Sequence, residues 1–124
     1  MNIQKTKYIL ASQSSRRSKL LAQIGINFET LPSNFIEDLS INLPPSNLSM
    51  NFAENKAKAV AKNNKSRWVI GADTIVTLKG KIFGKPNNFD EGIEMLRALS
   101  GKTHDVFTGV SIQNIEKKIS LTFN

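Results

Sequence analysis

A chain of 124 residues, 40% hydrophobic and 22% charged, carries enough apolar material for one domain with a real core. With no cysteine and a single histidine, disulfides, thiolate chemistry and the usual His-rich metal site are excluded, so any metal would be a hard ion held by oxygen. The net charge of +7 is scattered, with no basic run interleaved with aromatics, which argues against nucleic acid and fits small phosphate-bearing ligands.

Met1 to Lys7 is polar and only Tyr8-Ile-Leu-Ala11 follows it, so neither a signal peptide nor a membrane span is expected, and the reading is a cytoplasmic one. Lys7 to Ala11 reads as a short buried strand, followed directly by Ser12-Gln-Ser-Ser-Arg-Arg17. Ser18 to Ile24 then places Leu20, Leu21 and Ile24 at helical spacing, with Gly25 positioned to end the helix. A hydroxyl-rich turn between strand and helix offers unpaired backbone N–H groups, serine donors and two guanidinium groups in one place. Arg16 and Arg17 oppose the helix macrodipole there, at a cost of up to about 1 kcal/mol each, which a bound anion would offset. The plainer alternative is a simple N-cap at Ser14 or Ser15 with solvated arginines.

Ile26 to Leu31 alternates as a second strand, and Pro32 to Pro45 is loop-like and carries Glu37 and Asp38, which in most loops are merely solvated. A helix is expected from about Asn47 to Asn63, with Phe52, Lys56 and Val60 on one stripe. On local grounds Lys56 reads as a lysine snorkelling at the edge of the core.

Trp68 to Leu78 is an apolar, β-branched run with Asp73 in its middle. A carboxylate in an apolar setting needs a cation, a metal or hydrogen-bond donors, unless Gly71-Ala-Asp-Thr74 is a bend in which Asp73 caps backbone N–H groups. A Gly-centred turn leads from Leu78 to a strand at Ile82, and Gly84-Lys-Pro86 puts a lysine in the next turn. Asn88 and Glu91 resemble a capping box for a helix whose apolar face is Phe89, Ile93, Leu96 and Leu99 and whose end is Gly101. Thr103 to Gln113 alternates, as do Ile119, Leu121 and Phe123 after Asn114 to Lys118, giving a hairpin. His104 reads as structural rather than catalytic.

Leu10-Ala-Ser-Gln-Ser-Ser-Arg-Arg17, Glu54-Asn-Lys-Ala-Lys-Ala59, Gly71-Ala-Asp-Thr-Ile-Val76, Gly84-Lys-Pro86 and Met95-Leu-Arg-Ala-Leu-Ser-Gly-Lys-Thr-His104 stand in this order. Together they resemble the Maf family of nucleotide pyrophosphatases, over nearly the whole chain. The resemblance implies an α/β fold, a mixed twisted sheet with flanking helices related to the inosine triphosphate pyrophosphatases, formed by a single domain over residues 1–124. It implies hydrolysis of nucleoside triphosphates to monophosphate and pyrophosphate with a divalent metal, magnesium or manganese, and a homodimer as the usual assembly. Carried over by position, it puts Ser12, Arg16, Arg17, Lys56 and Lys85 on the phosphates. It puts Glu37 and Asp73 at the metal and attacking water, with Asp73 as general base, and it replaces the snorkelling reading of Lys56. The Ser-Arg-Arg form of the first motif resembles the branch acting on dTTP and UTP, with Ser15 where proline is commonest.

A Lys-Ala-Gly-Ala-Tyr-Gly-Ile-Gln type motif from the last third of the family is not matched, so the domain is expected to be incomplete at its C-terminus. Two functions follow: the pyrophosphatase, or a nucleotide-binding or cell-division-associated protein without turnover.

Overall fold

The computed structural model describes residues 7–12, 15–79, 81–83, 89–101 and 104–124, with the side chains of residues 15, 16, 83, 91 and 99 outside that description. Its elements in chain order are β1 (Tyr8–Leu10), α1 (Ser15–Gln23), β2 (Phe28–Thr30), α2 (Pro45–Ala61), β3 (Val69–Leu78), β4 (Lys81–Phe83), α3 (Phe89–Leu99), β5 (Asp105–Asn114) and β6 (Ile119–Phe123). This is the mixed α/β sheet with flanking helices that the motifs imply. Gly25 and Gly101 both adopt positive φ, 78° and 68°, where the chain leaves α1 and α3. The capping box at Asn88 falls outside the described residues.

The strands form one mixed sheet in the order β2-β1-β3-β5-β6, with β4 also on β3. β1 runs parallel to both β2 and β3, whereas β4 and β5 are antiparallel to β3, and β6 is antiparallel to β5. β5 follows β3 from Val69 to Thr77, so β1 and β4 share the other edge of β3. β1 meets that edge only at Val69 and Ile70 and β4 only from Val76 to Leu78. The edge between them opens beyond the C-terminal end of β1, the place where open α/β sheets accept ligands.

The core lies between α2 and one face of β3 and β5. Helix α2 starts at Pro45, whose fixed φ suits the first turn, and Leu48 N–H donates to Pro44 O at 2.9 Å. Its inward stripe buries Leu48, Phe52, Ala57 and Val60 against Ile9, Val69 and Ile75. The approach is so close that a Cβ added at Gly71 would collide with Ala53 O, and one at Gly109 would lie 2.5 Å from Ser49 O. Only glycine lets helix and sheet meet at these two places.

The expected apolar faces of the two shorter helices behave differently. Leu20 and Ile24 at α1, and Phe89 and Leu96 on α3, are exposed, Phe89 to 81%. Their spacing was correctly helical, but periodicity reports that a helix has an apolar side and not that something covers it.

Candidate active site

Asp73 occupies the centre of β3, facing α2, and is 5% exposed. It is extended backbone paired to Gly109 of β5, not the capping bend that its flanking Gly71 and Thr74 also allowed. The partner its burial demands is Lys56, whose ammonium reaches Asp73 Oδ1 at 2.7 Å. Lys56 stands one turn from Phe52 and one turn from Val60, so the stripe that buries those residues carries the ammonium onto the sheet.

The same ammonium meets Glu37 Oε1 at 2.5 Å. Glu37 lies in the long loop before α2, and two local features hold it there. Phe35 packs its ring against Phe52 with centroids 5.8 Å apart, and it adjoins the cluster of Leu48, Phe52 and Ile75. On the other side, Asp38 Oδ1 accepts from the backbone N–H of Ser40 at 3.0 Å and from its hydroxyl, a local turn that holds the Asp38 carboxyl below its ordinary pKa. Phe35 was not singled out in the sequence, although an aromatic two residues before a loop carboxylate is the kind of anchor that could have marked it.

Burial pushes the Asp73 carboxyl up to about 6, the nearby Glu37 carboxylate adds to the rise, and the Lys56 ammonium opposes it. One ammonium between two carboxylates leaves the group one negative charge in excess when both are ionised, and Asp73 Oδ2 is buried with no hydrogen-bond partner. An unmatched buried carboxylate oxygen is costly, so the cluster favours a further cation. Among the described residues no three acidic or histidine side chains converge as a metal-binding group. Glu37 and Asp73 nevertheless fit a magnesium-type ion, which takes one or two carboxylates and completes its shell with phosphate and water oxygens.

Ser12 and Arg17 approach the same opening from β1 and α1. Arg17 Nη1 donates to Ser12 Oγ at 3.4 Å, and Nη2 donates to Thr74 Oγ1 at 3.1 Å. A cleft of about 270 Å³ is lined by Ser12, Arg17, Ser33, Phe35, Glu37 and Lys56. The structure therefore brings Ser12, Arg17, Glu37, Lys56 and Asp73 to one place. The Arg16 side chain and the whole of Lys85 lie outside the described residues. His104, just ahead of β5, is exposed.

Cations beside a cleft, next to a buried carboxylate and a half-buried one, can neutralise an anionic ligand and activate a water. Comparison with known proteins gives this arrangement a context. A family model described as "Maf-like protein" matches residues 7–123. A protein of Bacillus cereus (strain G9842) named dTTP/UTP pyrophosphatase is 50% identical over 114 residues, 92% of this chain and 60% of that protein. One of Bacillus anthracis with the same name is 50% identical over 117 residues, 94% of this chain and 60% of that protein. The chain thus spans about 60% of the length of the curated relatives it matches. Among solved structures, the Staphylococcus aureus Ham1 protein superposes with a TM-score of 0.59 at 17% identity, covering 95% of this chain and 68% of that one. A dITP/XTP pyrophosphatase of Mycobacterium abscessus gives 0.54 at 12% identity, covering 95% and 70%. These two likenesses are of fold.

Proposed function

The chain belongs to the family of Maf-like proteins, and from that premise we propose that it hydrolyses nucleoside triphosphates, dTTP and UTP foremost, to the nucleoside monophosphate and pyrophosphate. The names of its Bacillus relatives support the substrate. The observation that carries the chemistry is Lys56 held between Glu37 and Asp73 in the wall of a cleft that Arg17 also lines.

In this reading the triphosphate enters the cleft with its phosphate oxygens against Arg17 and the Ser12 hydroxyl. Arg16 and Lys85 join them by the expectation from their motifs. The negative charge of the substrate draws the Lys56 ammonium from the two carboxylates toward the phosphate chain. Asp73, ionised above about 6 yet more basic than an ordinary carboxylate, takes the proton of a water that attacks the α-phosphorus. The bond from the α-phosphorus to the bridging oxygen breaks, and pyrophosphate leaves with the charge that the cations neutralise. Magnesium or manganese would be held by Glu37 and Asp73 and would supply further neutralisation of the phosphate oxygens. No helix among the described residues is long and apolar enough to cross a membrane, and we place the protein in the cytoplasm, acting on free nucleotides rather than on nucleic acid, as a homodimer.

The test is pyrophosphate release from dTTP, UTP and GTP in magnesium or manganese, with Asp73→Asn alongside. Release from the pyrimidine nucleotides should fall by at least about a hundredfold in the variant, the usual contribution of a positioned general base, while the fold survives. Equal release by the variant would remove Asp73 from the reaction. Binding of dTTP to the folded chain without any release would favour the nucleotide-binding protein without turnover.

A further inference from the structure

Asp73 and Thr74 are consecutive residues of an extended strand, so their side chains leave opposite faces of the sheet. Asp73 turns to α2 and Lys56, whereas Thr74 meets Arg17. A guanidinium only donates hydrogen bonds, so Thr74 Oγ1 accepts from Arg17 Nη2, and its own hydrogen is available to Thr108 Oγ1, 3.1 Å away. Thr108 is the direct cross-strand neighbour of Thr74, fixed by the pairing of β3 with β5. Arg17, on a short helix with an exposed apolar side, is in this way tied to two strands of the sheet through a chain of hydroxyls.

We propose that Thr74, backed by Thr108, is a positioning residue that orients the Arg17 guanidinium toward the phosphate chain. The proposal rests on the reading of Arg17 as a phosphate ligand. Arginine side chains lose substantial rotamer freedom on binding, and a guanidinium already held in the binding orientation loses less. A hydroxyl suits the task because it orients the guanidinium without neutralising its charge, whereas the Lys56 ammonium is held by two carboxylates. The second hydroxyl matters because a threonine that bonds Thr108 has its own hydrogen directed away from Arg17, leaving a lone pair for the guanidinium.

The experiment measures binding of inorganic tripolyphosphate, a probe with the phosphate chain and no base, by calorimetry, together with KM and kcat for dTTP. The variants are Arg17→Ala, Thr74→Val, Thr74→Ser, Thr108→Val and the double Arg17→Ala/Thr74→Val. Thr74→Val, which removes the hydroxyl and keeps the shape, should weaken tripolyphosphate binding about tenfold, with Thr108→Val weakening it a few fold. Thr74→Ser should restore binding, and Thr74→Val should have no effect once Arg17 is alanine, because the two groups act as a unit. A merely structural threonine would give equal losses in both backgrounds and no rescue by serine, and either result overturns the proposal. If Arg17→Ala itself leaves tripolyphosphate binding unchanged, the phosphate-site reading of Arg17 fails and the proposal with it. If Arg17→Ala weakens binding and Thr74→Val does not, that reading stands and the positioning role of Thr74 is overturned.

Discussion

Asp73 is held in a state where two demands conflict. Its carboxyl is raised from 3.8 to about 6 by burial first and by Glu37 second, against the pull of Lys56. A folded-state value above the unfolded one means that the folded chain binds the proton more tightly. The stability Asp73 contributes is therefore present at low pH and is lost as pH rises through about 6. In its proposed role as general base Asp73 must be ionised, so activity has the opposite sign. The expected profile of kcat/KM rises with pH through about 6, and Glu37→Gln, which removes a cause of the upward shift, should move that limb to lower pH. A pH–rate series on the two proteins checks this, and an acid limb that does not move in the variant would detach Glu37 from Asp73. The need of Asp73 for a cation was legible in the sequence because a carboxylate inside an apolar strand has few alternatives. The identity of that cation was not: the spacing put Lys56 on the inward stripe but left it readable as a lysine snorkelling at the core edge, and only the packing of helix on sheet brings its ammonium to Asp73.

At the scale of elements, α2 and β3 make the site possible by packing without side chains between them at Gly71. The second contact of this kind, Gly109 on β5, lies directly across the sheet from Asp73. Gly71→Ala must push α2 outward, because the new Cβ would meet Ala53 O and lie 2.9 Å from Ala57 Cβ. We expect a loss of about 1–3 kcal/mol, as for other overpacked contacts, read as a lower denaturant midpoint, and a weakened Lys56–Asp73 contact with it. Unchanged stability would mean that helix and sheet are not in contact there. The α2 stripe of Phe52, Lys56 and Val60 and the strand pattern of β3 and β5 were readable because both elements are long and bury one side. Strands β1, β2 and β4, three residues each, carry too little alternation to reveal which neighbour they pair with. The cross-strand meeting of Thr74 with Thr108 follows from register, which no local pattern encodes.

Over the whole molecule, the sheet has unlike faces. α2 covers the side that carries Gly71, Asp73 and Gly109, while on the other side Val106, Leu121 and Phe123 are exposed. β6 stands last in the strand order among the described residues. The cleft lies where β1 stops and β3 continues, so that one strand brings Asp73 to one side of the opening and Thr74 to the other. In the proposed reaction, water attacks the α-phosphorus of a nucleoside triphosphate held across that opening. The most direct measurement is hydrolysis of dTTP in ¹⁸O-labelled water, with the products followed by mass spectrometry. Attack at the α-phosphorus puts the label in the nucleoside monophosphate and leaves the pyrophosphate unlabelled, and both products are lost in Asp73→Asn. Label in pyrophosphate, or release of orthophosphate with the nucleoside diphosphate, would contradict it.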